Sequence, residues 1–274
     1  MHRIEARRSL FGTAREALQR AAVQRLIRSA AESDGESVAI DVDEIGAEGV
    51  DFLCRLAGDF SIGDPRARRL ELALMRSGSM DRIVGRLAAP NAYLQVQGLR
   101  VIGALRIDSA TAWVVPMLDA DALAVREAAA RALGRIGGSS CAAALLRTIE
   151  ARGASRIVVT ELARCAPDQF LEAAIKDSST QGVKLAAMIA AGLRGSRVAI
   201  APLAALLANG STLERIAACR ALSWIGSGAA IAAVSASQSD VQPAVRAAAG
   251  KALQALMARS GATPVWSERR LEAV

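Results

Sequence analysis

Apolar residues recur at helical spacing along most of the chain, in pairs of runs separated by a turn. In "VREAAARALGRIGG" (125–138) the bulky apolar residues Val125, Leu133 and Ile136 stand among alanines. A second helical run, "CAAALLRTIEA", follows the two glycines and "SS", where a serine is placed to cap its first turn. This pattern predicts a helical hairpin.

The hairpin recurs about every 30 residues between residues 65 and 258, which gives seven units. The second residue of each copy is Arg66, Gln95, Arg126, Arg156, Lys184, Arg215 or Arg246. A single hairpin cannot bury its apolar stripe, so neighbouring copies must stack into an all-α solenoid. Alanine on the first helices lets neighbouring helices approach closely, which suits a chain with only 3% aromatic residues.

The second helix of each unit is predicted from runs such as "MDRIVGRLAA", "TAWVVPMLDA", "PDQFLEAAIKD", "VAIAPLAALLA" and "AAIAAVSASQ". Pro116 and Pro202 lie inside two of these runs. Because proline lacks the main-chain N–H and clashes with the preceding turn, both helices are expected to be kinked or shortened.

Residues 125–137 match every specified position of the pattern V-R-x-x-A-x-x-A-L-G-x-I-G, and the chain therefore resembles HEAT-repeat proteins of the short type found in phycobilin lyases. The resemblance implies a right-handed α-solenoid of antiparallel helix hairpins whose second helices line a concave binding face. Partner-binding residues expected there are Arg82, Arg86, Trp113, Met117, Arg147 and Lys176. Solvated charges, and a core position for Trp113 and Met117, remain alternatives.

The cations at the second position of each copy have two interpretations. They could form a row that binds phosphate groups. Alternatively, each could bond an acid or amide five to seven residues upstream, as Arg126 could with Asp119 or Asp121, and so link successive repeats. The structural interpretation is favoured because most copies carry such an upstream partner.

The sequence divides into residues 1–64, a repeat region at 65–260 and a tail at 261–274. A basic helix at about 3–30 has a net charge of +5 and is followed by an acidic stretch, 32–51, which could fold back on arginines of that helix or of the first repeat. The helix is expected to cap the solenoid, although contact with an anionic membrane or acidic partner, or a position after a membrane anchor, stays open. A helix at 46–58 would complete the cap. Trp266 is expected to pack on the last hairpin, with peptide-like docking as the alternative.

No catalytic residue, cofactor or metal ligand is predicted. Cys54, Cys141, Cys165 and Cys219 lie far apart and resemble small buried apolar residues, while His2 is the single histidine. The glycines at 134–138 and 226–228 follow helices rather than strands, so they indicate turns rather than phosphate loops. Lyase-like or alkylpurine-glycosylase-like enzymes remain weaker alternatives, because Trp113 and Trp224 lie too many repeats apart to share a pocket.

These features favour a non-catalytic scaffold or adaptor that binds a protein partner. The net charge of +7 is spread over the chain without aromatic residues among it, so nucleic-acid binding is possible but not favoured. A looser resemblance of "GVDFLCRLAGDFSIGDPRARRLELAL" links the chain to solitary bacterial HEAT proteins that accompany membrane glycosyltransferases. A cytoplasmic location is expected, or a membrane-associated one if an N-terminal anchor has been removed.

Overall fold

A computed structural model of the chain describes residues 2–32, 38–60, 64–178 and 180–259, with side chains from residue 17 to residue 258. These stretches contain α-helices and short 3-10 turns, without a β-strand. The α-helices are α1 (His2–Glu32), α2 (Gly46–Gly58), α3 (Pro65–Arg76), α4 (Ser79–Leu87), α5 (Ala92–Leu105), α6 (Thr111–Val114), α7 (Leu123–Ile136), α8 (Ser139–Arg152), α9 (Arg156–Cys165), α10 (Asp168–Asp177), α11 (Gln181–Arg194), α12 (Ile200–Asn209), α13 (Thr212–Ile225), α14 (Gly228–Ser235) and α15 (Pro243–Arg259).

The predicted helical hairpins are confirmed. The odd-numbered helices from α3 to α15 are the first helices of the repeats, and the even-numbered helices from α4 to α14 are the second helices. The chain forms two compact units, residues 1–132 and residues 133–274, which meet inside α7. Each unit is a stack of helix pairs, so the fold class is an all-α solenoid of hairpin repeats. The division predicted from the sequence, with boundaries at residues 64 and 260, stays a prediction.

Small residues bring the first helices together, as the alanine-rich pattern predicts. In the first unit, a Cβ on Gly103 of α5 would lie 2.7 Å from the Cα of Ala132 in α7. In the second unit, a Cβ on Gly192 of α11 would lie equally close, 2.7 Å, to the Cα of Ala221 in α13. Each glycine stands eight residues after the second-position residue of its copy. These two close helix contacts therefore occur at the same position of the repeat.

Local signals in the hairpin turns explain where helices stop. Gly137 and Gly138 both have positive φ, 88° and 90°, a conformation that glycine adopts without a steric penalty. The expectation that Ser139 or Ser140 caps α8 is wrong, because the N-cap is Gly138 and both serines lie inside the first turn. Ser155 at α9 and Ser211 at α13 do cap their helices through their side chains.

Pro116 shortens its helix as expected, whereas Pro202 does not interrupt α12. Pro116 falls in a 3-10 segment, Val115–Asp119, which directly follows the four residues of α6. Pro202 lies in the first turn of α12, where it is tolerated, and the residues before it form a 3-10 turn instead of an extra α-helical turn. Helix α12 has 10 residues, the same number as α10, which contains no proline, so the predicted shortening is observed at Pro116 only.

The N-terminal helices cover the start of the repeats. The last turns of α1 bury Ile27, Ala30 and Ala31, and α1 packs on α2 and α3. Helix α2, which has the predicted bounds, buries Leu53 and packs on α5. This part of α1 therefore acts as a cap. Trp266 and the tail at 261–274 lie outside the described residues, and their placement stays a prediction.

Candidate interaction surface

Trp113 lies on the surface of the second helix of its repeat. Val114 and Leu118 are the buried residues of α6 and the following 3-10 segment, whereas the Trp113 side chain is 52% exposed. Met117 is half-buried. Of the two interpretations of Trp113, core and groove, the surface position is the one observed. Tryptophan is enriched in protein interfaces, so a half-exposed tryptophan marks this position as a candidate contact residue.

Arg82 and Arg86 on α4 bind acidic residues of their own chain. The Arg82 Nη2 lies 2.7 Å from Asp41 Oδ2, and its Nε lies 3.1 Å from Asp43 Oδ2. The Arg86 Nη2 lies 2.5 Å from Asp43 Oδ1. The acidic stretch thus folds back on the first repeat, where it neutralises the positive charge of α4. Its Glu48 Oε2 also lies 3.6 Å from Arg20 Nε of α1, so both of the contacts that its charge suggested are present.

Main-chain and serine hydrogen bonds hold this acidic segment in place. The Ile40 N–H donates to the Ala73 carbonyl at 3.1 Å, and the Val42 N–H donates to Ser79 Oγ at 2.9 Å. Ile40 and Val42 are buried. The Asp43 main-chain N–H, together with the N–H of Glu44 and the Arg82 guanidinium, lowers the pKa of the Asp41 carboxyl below its ordinary value. The segment is therefore anchored by apolar, hydrogen-bonded and ionic contacts.

In the second unit, the exposed face of the second helices changes along the chain. Arg147 on α8 is exposed, and the exposed Lys176 on α10 has its Nζ 2.6 Å from Glu172 Oε1. Helices α12 and α14 contain no charged residue. Their exposed residues include Ala201, Ala205, Ala208, Ala229 and Ala232. The exposed residues thus include charged side chains on α8 and α10 and only uncharged ones, many of them alanine, on α12 and α14.

The alanine surface on α12 and α14 was not predicted from the sequence, because the predicted contact residues were charged or large and apolar. Its sequence signal is the lack of any charged residue in 198–209 and again in 221–239. Helices that are apolar on all sides are expected to be buried, yet these two leave alanines in contact with solvent. An exposed apolar face of this kind indicates an interaction surface.

The second-position residues stabilise the loops between hairpins, but mostly through main-chain carbonyls. The Arg126 Nη1 donates to the carbonyls of Ala120 at 2.8 Å and Asp121 at 2.6 Å, rather than to a carboxylate. Arg246 and Gln95 bond upstream carbonyls in the same way. The structural interpretation of the ladder therefore agrees with the geometry, whereas the expected upstream acceptors are wrong in detail.

Two members of the ladder also reach a later repeat. Lys184 Nζ lies 3.4 Å from Glu214 Oε1, and Arg215 Nε lies 3.1 Å from Asp240 Oδ2, whereas Asp177 and Asn209 were the expected partners. Both carboxylates lie downstream in the sequence, whereas the expected acceptors lie upstream, and these contacts join α11 to α13 and α13 to the loop before α15. They link successive hairpins within the second unit.

Replacing Arg126 by alanine is expected to lower the free energy of unfolding by about 1–2 kcal/mol, because two carbonyls lose a charged donor. Arg126→Gln should recover part of the loss, since Gln95 makes equivalent bonds in its own repeat. Urea unfolding measures both changes. The control is Arg131→Ala on the exposed side of the same helix, where only an ion pair with Glu127 is lost. Equal losses in the two alanine variants would contradict the role of Arg126.

The cysteines are small buried side chains, as the sequence predicts, and all four are free thiols. Burial, with smaller contributions from Cys141 and Glu161, raises the pKa of Cys165 to about 12. Burial also raises the pKa of Cys219 to about 11. Thiols with such pKa values are protonated at neutral pH and are poor nucleophiles.

Among the described residues, no group of three or more His, Cys, Asp or Glu side chains is placed to hold a metal ion.

Comparisons with known proteins agree with this architecture. A family model described as HEAT repeats matches residues 80–164 and 167–254, more than half of the chain. No curated protein shows a significant match.

Several solved structures of engineered proteins are similar. One engineered protein shares 18% identity over 86% of this chain and 68% of its own, with a TM-score of 0.38. A designed armadillo repeat protein in complex with the peptide (KR)4 shares 17% identity over 85% of this chain and 99% of its own, with a TM-score of 0.33.

The family match covers all the second helices described above, from α4 to α14, and its residues 125–137 carry the repeat pattern in full. On the strength of that match, this chain belongs to the HEAT-repeat family.

Proposed function

We propose that this protein is a non-catalytic scaffold or adaptor that binds a protein partner through the outward face of its second helices, the face that lines the concave side in HEAT arrays. HEAT repeats build extended surfaces suited to protein binding. The observation that carries the proposal is the 52% exposure of Trp113 on a second helix. Tryptophan is strongly enriched among the residues that contribute most to binding.

The contact around Trp113 is apolar in character. Arg82 and Arg86 of the neighbouring helix α4 are already paired with Asp41 and Asp43, so they contribute little free positive charge. Met117 is half-buried in the same second helix and Pro116 is exposed between the two. We therefore assign Trp113 and Met117 to an apolar contact, and the two arginines to a secondary role at most.

The second unit offers a different contact. Arg147 supplies positive charge, the exposed Lys176 is paired with Glu172, and the alanines of α12 and α14 supply an apolar surface. A partner segment with acidic residues followed by an apolar helix would match this order. Small side chains on both surfaces would permit close helix approach, as they do between α11 and α13.

Trp113→Ala is expected to weaken partner binding about thirtyfold, the effect of losing a central interface residue, with little change in protein stability because the side chain is exposed. The measurement is the affinity of a partner first captured with the unaltered protein at moderate salt. The matched control is Tyr93→Ala, an aromatic residue of similar exposure on a first helix of the same unit. Equal loss in both variants, or recovery of nucleic acid alone, would refute the proposal.

A further inference from the structure

Helix α1 has two unlike sides in the part whose side chains are described. One side, formed by Ile27, Ala30 and Ala31, is buried where α1 packs on α2 and α3. The other side, formed by Leu18, Ala21, Ala22, Arg25 and Arg28, is exposed; we refer to these five residues as the outer face of α1. Packing against α2 and α3 therefore explains the residues on one side of α1, but not those on the exposed side.

The outer face contains both an exposed leucine and free positive charge. Leu18 is 68% exposed, the most of any leucine in the described part. The Arg25 Nε donates only to the Ala21 carbonyl of its own helix, at 3.4 Å. Arg28 is exposed and its guanidinium lies over the Phe52 ring of α2 at 5.4 Å, so it stands at the border between the outer face and the packed side. An apolar side chain and two cations are thus presented together.

We propose that the outer face of α1 binds the surface of an anionic lipid bilayer, with the helix lying parallel to the membrane. A basic amphipathic helix binds such a surface because its apolar side chains enter the boundary between headgroups and acyl chains while its cations remain at the lipid phosphates. None of the described helices is long and apolar enough to cross a bilayer. The contact is interfacial, and it is separate from partner binding on the second helices.

Charge and chemistry favour a bilayer over the other candidates for this face. Nucleic acid would pair with the arginines, but it offers no apolar environment to Leu18. A second copy of the chain would bring the same arginines against each other, and like charges in an interface repel. An anionic bilayer matches both the arginines and the leucine.

Co-sedimentation with lipid vesicles tests the proposal on the full chain. Binding is expected with phosphatidylcholine vesicles that contain about 30% phosphatidylserine, weak or absent with phosphatidylcholine alone, and reduced as added salt screens the charges. The double variant Arg25→Gln, Arg28→Gln should weaken binding about thirtyfold, from two lost surface cations. Leu18→Gln should weaken it about fivefold.

A matched control separates the outer face from general positive charge. Arg135→Gln with Arg220→Gln removes two exposed arginines from the second unit and should leave vesicle binding within about twofold of the unaltered protein. Circular dichroism confirms that each variant is folded. Equal loss in both double variants, or equal binding to neutral and anionic vesicles, would overturn the proposal. So would variants that change only self-association or only binding to duplex DNA.

Discussion

Replacing Gly192 by alanine is expected to lower the free energy of unfolding by about 2–3 kcal/mol, the range for adding a methyl group to a fully packed helix contact. The new Cβ would lie 2.7 Å from the Cα of Ala221 and 2.9 Å from Cε3 of Trp224. Because the first of these atoms belongs to the backbone, a change of rotamer cannot relieve the clash. Helices α11 and α13 would have to separate, and every contact between them would weaken.

Gly182→Ala in the same helix is the matched control. A Cβ at Gly182 would meet no atom within 4 Å, so alanine is expected to stabilise the helix by about 0.5–1 kcal/mol through its higher helix propensity. The two substitutions are chemically identical and lie ten residues apart in α11, yet they should have opposite signs in urea unfolding. Destabilisation of Gly192→Ala by less than about 0.5 kcal/mol would show that the helices can separate without cost.

The repeat period made the hairpins predictable, because each unit supplies an independent copy of the same signal. The predicted run 125–138 covers most of α7 and the glycine turn after it, and the predicted helix 46–58 coincides with α2. Close approach through small residues was predictable for the same reason. The same repeat position holds Gly103 and Gly192, each against the backbone of an alanine in the next first helix, whereas Gly134 in the copy between them faces the Glu161 side chain.

Contacts outside the repeat were less predictable. The spacing of Arg126 located the loop it stabilises, but not the direction in which the carbonyls of Ala120 and Asp121 point. The pairing of Arg82 with Asp41 joins residues far apart in sequence. The acidic stretch lies outside the repeats, so no other copy of the pattern indicates where it packs. The 3-10 segment after Val114 changes the angular position of each following residue, so the helical period alone did not predict that Leu118 is buried and Met117 only half-buried.

The acidic segment takes the place of a preceding repeat for α4. The first helix hairpin has no earlier hairpin on that side, and a repeat array needs its apolar end covered. Ile40, Val42 and Ile45 supply buried apolar side chains, while Asp41 and Asp43 between them bind the arginines. Alternation of apolar and acidic residues lets one extended segment cover the apolar end and neutralise the cations. The charge pattern at 38–45 therefore has a structural cause.

Ser79→Ala is expected to lower the free energy of unfolding by about 2–3 kcal/mol, since it leaves buried polar groups without partners. Ser79 is fully buried, and its Oγ accepts from the Val42 N–H at 2.9 Å and from Arg82 Nη2 at 2.9 Å. Ser77 Oγ lies 2.7 Å away in the same network. Loss of this hydroxyl should loosen the acidic segment as well as destabilise the first unit.

Hydrogen exchange of the main-chain amides distinguishes the local effect from a general one. Amides at 40–45 should exchange faster in Ser79→Ala than in the unaltered protein, while those of α13 in the second unit should not change. Ser109→Ala is the control, because Ser109 is exposed in the 3-10 turn before α6 and its loss should change unfolding by less than about 0.5 kcal/mol. Unaltered exchange at 40–45 would mean that the buried side chains of Ile40 and Val42 hold the segment without the serine, and that the ionic pairs with Arg82 and Arg86 follow from that burial rather than contribute to it.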